Sequence, residues 1–243
     1  MTIPKTIMQT WKDMNIPDKW KRSVESIREV LLPNGWRHIL MTDEDNRNLI
    51  ADNFPDFLET YDNFKYPIQR ADAIRACYLY LYGGVYSDLD FEVKADFYEL
   101  IEGHSLLFVP SGNIGTMFTN AFMVSKPKHE FWLEYIEEMK KPAPWYGIGK
   151  HMHVMTTTGP MALSRVIERT KYPYTILPSA LFTPCSVCDL TCEASNSSYL
   201  VQLDGGSWNG ADSLTYNWFM CNGWTVVLII IIVIIIIILL AIS

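Results

Sequence analysis

The 243 residues predict an α/β domain with substantial parallel strand pairing, followed by one C-terminal transmembrane helix. Three observations carry this. The first 100 residues alternate between short apolar runs and amphipathic stretches of helical period. An Asp-Leu-Asp turn directly follows one of the short apolar runs. Val226 to Ile242 is an unbroken apolar run, mostly isoleucine. With Trp224 and Thr225 that run spans roughly 28 Å as a helix, against roughly 30 Å for a bilayer core. An all-round apolar helix needs burial on every side, which a domain of this size does not offer. The expected division is therefore a globular domain over 1–223 and an anchor over 224–243. No other segment is as apolar for as long, which excludes a multipass protein.

The elements follow in order. Ile3 to Trp11 predicts a first strand. Pro17-Asp18 opens an amphipathic helix to about Leu32, with Trp20, Val24, Ile27, Val30 and Leu31 at helical spacing. Pro33-Asn34-Gly35 stops it. Trp36 to Met41 predicts a second strand, and Thr42 a helix N-cap followed by Asp43, Glu44 and Asp45 in the first turn. Pro67 to Tyr82 is the strongest helical pattern, with Ala71, Ile74, Cys77, Tyr78 and Leu81 forming a stripe. Gly83-Gly84 ends it, before a short strand Val85-Tyr86-Ser87. Further strands are expected at Ser105–Pro110, Ala121–Ser125, Tyr174–Pro178 and Tyr199–Leu203. Helices are expected at Lys128–Lys141 and from Thr158-Gly159-Pro160 to Arg169, and a loop over Gly205–Gly210.

Composition narrows the function. The chain carries 20 basic and 27 acidic residues, a formal charge of −7. No basic stripe is present to displace phosphate counterions, so nucleic-acid binding is not expected. With 19% charged and 13% aromatic residues the composition is that of a packed globule. Met1 to Lys5 leads into polar sequence with no apolar core, so no N-terminal signal peptide is expected. Cys77 lies in a helical pattern and reads as a buried thiol. Cys185, Cys188 and Cys192 cluster, with Cys221 nearer the apolar run. A zinc site completed by Cys221 or Asp189, a disulfide, and free thiols all remain open.

The chemistry concentrates between Gln69 and Asp90. Asp88 and Asp90, just past a strand, converge on one divalent cation if the backbone turns there. Hard cations such as Mg2+ and Mn2+ take oxygen ligands and hold diphosphate oxygens in their open positions. Open α/β sheets bind ligands beyond the carboxyl ends of strands. Asp72 and Arg75 lie three apart and share a helix face. An acid–guanidinium pair there serves either as an intrahelical ion pair or as a hydrogen-bonding platform for a sugar. His129 reads as a helix-start residue. His151 and His153 resemble a metal pair only if that segment is a strand. Asn196-Ser197-Ser198 is a glycosylation sequon, meaningful in a secretory lumen.

The run Gln69–Asp90 resembles glycosyltransferase family 32, the enzymes with an Asp-x-Asp sugar-binding region, which include fungal inositolphosphorylceramide mannosyltransferases. Ile3 to Trp11, Asn120 to Ser125 with Pro127 and His129, Thr158-Gly159-Pro160 and Gly206-Ser207-Trp208 are similar to further family elements in the same order. The resemblance covers about residues 1–210. It implies a GT-A fold (Rossmann-like, binding a nucleotide sugar), a UDP- or GDP-hexose donor, Mn2+ or Mg2+, and retention of anomeric configuration. It assigns Asp88 and Asp90 to the metal and diphosphate, with Asp90 the direct ligand, and Asp72 and Arg75 to the donor sugar. It sets Trp11 under the nucleotide base, Asn120 near the sugar, and Ser207 and Trp208 over the diphosphate, with Ser207 on the metal side. The family places histidine just before its Gly-Ser-Trp. Here Asp204 occupies that neighbourhood and stands in as a metal-side carboxylate.

The expected protein is thus a hexosyltransferase acting on a glycan or glycolipid near a membrane, either in a Golgi- or ER-type lumen or facing the cytosol. No Lys or Arg follows Lys171, so flanking charge does not choose the side. Two rival classes are weighed. A haloacid-dehalogenase-type phosphotransferase also carries Asp-x-Asp after a strand, but Phe91-Glu92 does not fit its pattern. A non-catalytic sugar-binding protein leaves four intact acid and guanidinium groups unexplained.

Overall fold

The computed structural model describes residues 2–111, 117–183, 185, 188 and 195–242, with side chains to 238. Its centre is a six-stranded sheet built from β1 (Thr6–Thr10), β2 (Arg37–Met41), β3 (Gly84–Ser87), β5 (Leu106–Pro110), β6 (Phe118–Ser125) and β7 (Thr175–Ile176). The strand order is β2-β1-β3-β6-β5-β7. β1 pairs in parallel with both β2 and β3, and β5 with β7, while β6 runs antiparallel to β3 and β5. The parallel character expected from the sequence therefore holds for the first half of the sheet and is interrupted by β6. That reversal matters for the site, because it brings the start of β6 to the carboxyl ends of β1 and β3.

Strand residues alternate between two cores. Met8, Tyr86, Phe108 and Met123 face one side, where α2 (Asp43–Asn53), α3 (Pro55–Asp62), α4 (Pro67–Tyr82), α6 (Phe131–Met139) and α8 (Pro160–Arg169) pack. Ile7, Val85, Leu107, Phe122 and Val124 face the other, against Ile27, Leu31, Trp36, Phe97 and Phe182. The period-2 alternation of strand side chains produces this three-layer arrangement. α4 is buried nearly all round, from Asp72 to Leu79, and not only along its apolar stripe. Cys77 is fully buried and free, as expected.

Local signals explain the element ends. α1 (Asp18–Ser26) continues through a wide turn, Ile27–Leu31, and a tight one, Leu32–Asn34. Gly35 closes it at φ 81°, a left-handed conformation suited to glycine. The Thr42 hydroxyl accepts from Asp45 N, while Asp45 Oδ2 accepts from Thr42 N, a reciprocal cap. Trp36 stays outside β2 and donates its ring N–H to Asp96 at 3.1 Å. Gly84 sits at φ +90°, and a Cβ there would lie 2.4 Å from the Thr6 carbonyl oxygen on the neighbouring strand. Gly84→Ala is expected to lower stability by about 2–4 kcal/mol, since strain and a backbone clash add. Urea unfolding measures this, and a wild-type midpoint would refute the close approach.

Several segments differ from expectation. The sequence does not predict α3, because its three apolar residues, Phe57, Leu58 and Tyr61, give only a short pattern. Residues Gly149–Thr157 form a helix, α7, and not a strand. Two residues apart on a helix, His151 and His153 diverge: His151 packs on Trp208 and His153 sits edge-on to Tyr66. The metal pair is thereby excluded. Among the cysteines, Cys188 is bonded to Cys221 and Cys185 is also disulfide-bonded, so thiols bridged to each other replace the zinc alternative. Cys192 and Asp189 lie outside the described residues.

A two-stranded ribbon, β4 (Phe91–Val93) with β8 (Leu200–Gln202), lies beside the main sheet, with α5 (Tyr98–Ile101) and α9 (Ser179–Phe182) nearby in sequence. The chain ends in α10 (Ala211–Cys221) and α11 (Gly223–Ile242). Ile229 to Ile238 of α11 are each about half exposed. Over the described side chains no single helix is long and apolar enough to cross a membrane. The pair α10 and Gly223–Ile238, bent by 77°, meets the requirement together by length and composition.

Candidate active site

A cleft of about 250 Å3 opens at the carboxyl ends of β1 and β3. Trp11, Asp72, Arg75, Asp88, Asp90, Asn120, Ser207 and Trp208 all line it. Of the residues that the family resemblance assigns to donor or metal, Asp204 alone does not. Its backbone carbonyl accepts from the Trp20 ring N–H at 2.7 Å, which fixes the loop while the carboxylate lies elsewhere.

Each residue reaches the cleft for a reason in the chain. β1 and β3 run in parallel, so Trp11 and Asp88 leave the sheet at the same end. β6 runs the opposite way, so Asn120 near its start arrives there too, and Asp88 N donates to the Ala121 carbonyl at 2.8 Å. Asp72 and Arg75 sit near the middle of α4. The C-terminal element returns because β8 pairs with β4, the strand that follows Asp90. Leu203 N donates to the Asp90 carbonyl at 2.7 Å. Gly205 then crosses Asp90 so closely that a Cβ would lie 2.3 Å from Asp90 Oδ2.

The buried charges form one network. Arg75 Nη2 bridges Asp72 Oδ1 and Asp88 Oδ1, each at 3.1 Å. Its Nη1 donates to the Asn120 carbonyl at 2.8 Å and its Nε to the Ala71 carbonyl at 3.2 Å. The guanidinium lies 4.7 Å from the Tyr86 ring centroid, and the Tyr86 hydroxyl donates to Asp88 Oδ1. Asp72 also accepts from Asn120 Nδ2 and Thr158 Oγ1, both at 2.9 Å. Tyr135 in turn donates to the Thr158 carbonyl. Arg75 is therefore committed chiefly to the two carboxylates. Burial opposes its charge, but Asp88, Tyr86 and Asp72 outweigh burial.

The carboxylates are held up in pKa. Burial raises Asp72 to about 6, against the pull of Arg75, Thr158 and Asn120. Burial also raises Asp88, against Arg75 and Tyr86. Asp90 is raised by burial and then by its neighbour Asp88. Asp90 Oδ1 is shut off from solvent and has no hydrogen-bond partner. An orphaned carboxylate oxygen beside a second carboxylate is a donor set that fits a hard divalent cation. No third His, Cys, Asp or Glu joins them among the described residues. That leaves the remaining positions to water and phosphate oxygens, as Mg2+-type sites allow.

Trp11 stands edge-on to Trp20, ring centroids 4.9 Å apart, and its buried ring N–H has no partner. Trp208 stacks on His151, centroids 5.3 Å apart, and the Lys150 ammonium donates to the Trp208 carbonyl at 2.6 Å. His129 lies outside the cleft and caps α6, its Nδ1 accepting from Phe131 N at 3.3 Å.

Three supporting residues escaped sequence reasoning. Thr158 lay within a noted motif but gave no sign of its bond to Asp72. Tyr86 read as a strand residue. Gln9, fully buried on β1, donates from Nε2 to Ser23 Oγ at 2.9 Å and to the Asp88 carbonyl at 3.2 Å. Its Oε1 faces His38 Nε2 at 3.0 Å, which assigns the proton to that nitrogen. A buried glutamine in a strand was the only available signal.

Burial, with help from Arg28, pushes His38 down to about 4. The folded state therefore resists protonation while the unfolded chain accepts it near pH 6.5. Stability is complete above pH 6.5 and is lost as pH falls toward 4. Between pH 6.5 and 5 the wild type is expected to lose about 1–2 kcal/mol that His38→Gln does not lose. Denaturant titration at the two pH values measures the difference, and parallel curves would refute it.

The pattern defining glycosyltransferases with a "sugar-binding region containing DXD motif" matches residues 17–107. Inositol phosphoceramide mannosyltransferase 1 of Schizosaccharomyces pombe is 31% identical over 230 residues, 93% of this chain and 68% of the relative. Inositol phosphoceramide mannosyltransferase 2 of the same yeast is 34% identical over 221 residues, 89% and 61%. The chain thus spans about two thirds of these relatives' length. The ligand-free glycosyltransferase domain from the YGT toxin superposes with a TM-score of 0.51 at 9% identity, over 68% of this chain and 77% of that one, a likeness of fold. With the Asp88-Leu89-Asp90 turn at the head of a cleft in a GT-A sheet, the chain belongs to the DXD glycosyltransferases, in the group that contains the inositol phosphoceramide mannosyltransferases.

Proposed function

We propose that the protein transfers a hexose, mannose by kinship with the relatives' names, from a GDP- or UDP-sugar to a membrane-borne glycolipid with a phosphoinositol-type headgroup, retaining anomeric configuration. The observation that carries this is the partnerless Asp90 Oδ1 in a cleft that Asp88 also lines. Asp88 and Asp90 would hold Mn2+ or Mg2+. Such a cation supplies charge neutralisation for the departing diphosphate. Trp11, which lines the cleft, offers a face for the base. Asn120 and Asp72 present the polar edge that meets the sugar, and Arg75 keeps both carboxylates in place. Ser207 and Trp208 close the diphosphate side and exclude water. The acceptor hydroxyl attacks from the face that the diphosphate leaves, since among the described residues the carboxylates lining the cleft are Asp72, Asp88 and Asp90, taken up by Arg75 or by the cation site.

The Cys188–Cys221 disulfide and the exposed sequon at Asn196 support an endomembrane lumen for the domain. α11, 20 residues or roughly 30 Å long, supports a single-pass anchor. The test is a panel of nucleotide sugars with and without Mn2+, read by thermal shift and donor turnover. One donor is expected to raise Tm by several degrees with metal present, and to turn over only then. A panel with neither shift nor turnover would overturn the reading.

A further inference from the structure

α10 has two unlike faces. The inner one grips α7: His151 N donates to Asp212 Oδ2 at 2.6 Å, His151 Nδ1 pairs with Ser213 Oγ at 3.0 Å, and the Tyr216 ring lies 4.7 Å from His151. On the outer face Leu214 (68% exposed) and Trp218 (52%), four residues apart, stand side by side and uncovered, and Phe219 (50%) is also exposed near the end of the helix. Asp212 is the sole charged residue from Ala211 to Trp224, and it points inward. A second exposed apolar group, Trp145 (87%), Tyr146 and Ile148 (78%), precedes α7, three residues ahead of His151. Gly149, next to Ile148, lies against Asp212, so this loop adjoins the start of α10.

Orientation says what covers these groups. α10 and α11 meet at 77°. If α11 follows the membrane normal, α10 lies almost in the membrane plane. Tryptophan and tyrosine favour the headgroup zone, where one end of the ring is apolar and the other wet. A helix with an apolar outer face, joined at a right angle to a spanning segment, has the geometry of an interfacial helix. A water-facing role would leave seven large apolar side chains, with Trp224 at 89%, exposed without cause.

We propose that the outer face of α10 and the Trp145–Ile148 loop form a membrane-docking surface, embedded in the headgroup zone of the bilayer that α11 spans. The surface is tied to the cleft. His151, held by α10, stacks on Trp208, and Lys150 holds the Trp208 carbonyl. Docking therefore sets one wall of the active cleft at the lipid surface, where a lipid headgroup is presented. The inference rests on the anchor and transferase readings above.

The full chain, reconstituted in phosphatidylcholine vesicles with dibrominated acyl chains, tests it. The share of tryptophan fluorescence quenched by bromine is expected to fall by about half in Trp145→Phe/Trp218→Phe, leaving the contribution of Trp224. Ile148→Ser/Leu214→Ser is expected to slow transfer to a vesicle-borne acceptor about tenfold while metal-dependent donor hydrolysis stays unchanged. A chain that floats with the vesicles yet shows the same quenched share in both forms overturns the docking surface alone. Shielding of the same residues without lipid, in a concentration-dependent dimer, also overturns it. A chain that does not float overturns the anchor and this proposal with it. Normal quenching without donor turnover upholds the surface and overturns only the transferase reading.

Discussion

Asp90→Asn is expected to lower metal-dependent donor turnover at least a hundredfold while the melting temperature stays at or above that of the wild type. The loss follows from position. Asp90 Oδ1 is the one cleft carboxylate oxygen that is both buried and without a protein partner. Asp90 would act through the cation it holds, and losing a positive group aimed at developing negative charge costs about 10²–10³ in rate. The unchanged stability follows from electrostatics. Burial and Asp88 both disfavour the Asp90 anion, so it opposes the fold when no cation is bound. A neutral amide of the same shape removes that opposition. Groups kept for chemistry at the expense of stability behave in this way. Thermal scans without metal and turnover assays with Mn2+ give the two readouts. Full activity in the variant would remove the metal-holding role. A Tm drop of several degrees would show instead that Asp90 is structural.

The same physics sets what the sequence disclosed. Strands, caps and α4 were legible because they depend on local signals: period-2 apolarity, Thr42 three residues before Asp45, the glycines after Tyr82. The Asp-x-Asp turn, Trp11 and Gly206-Ser207-Trp208 were legible through their residue types and order. The convergence was not. Nothing local says that β6 reverses and delivers Asn120 beside Asp88, or that β8 pairs with β4 and carries Gly205 over Asp90. Antiparallel returns are long-range choices, fixed by packing between segments far apart in sequence, 32 residues for Asp88 and Asn120 and 115 for Asp90 and Gly205. α7 was missed for a related reason. Its residues contain two histidines and two threonines, poor helix formers that tertiary contacts override. Arg75 shows the limit most clearly. Its spacing from Asp72 fitted both an ion pair and a sugar contact, and only the third partner, Asp88, separates those roles.

That separation makes Arg75→Met the most informative structural variant. Arg75 is about 5% exposed and, among the described residues, is the only cation paired with Asp72 and Asp88. Deleting one member of a buried ion pair leaves an uncompensated charge and costs about 3–5 kcal/mol. For a domain of this size that lowers Tm by roughly 6–20 °C. The deficit has a pH signature. Without the guanidinium, burial raises the Asp72 carboxyl further, so the folded variant binds a proton that the unfolded chain releases. The variant therefore recovers stability relative to wild type as pH falls from 7.5 to 5. Asp72→Asn/Arg75→Met, which removes the stranded charge, is expected to restore a large part of the loss at pH 7.5. Denaturant unfolding of the three proteins at both pH values decides the matter. If Arg75→Met unfolds like the wild type and yet fails to turn over donor, the guanidinium acts on the donor itself. If stability and activity fall together and the double variant regains only stability, Arg75 positions the carboxylates, and those carboxylates carry the chemistry.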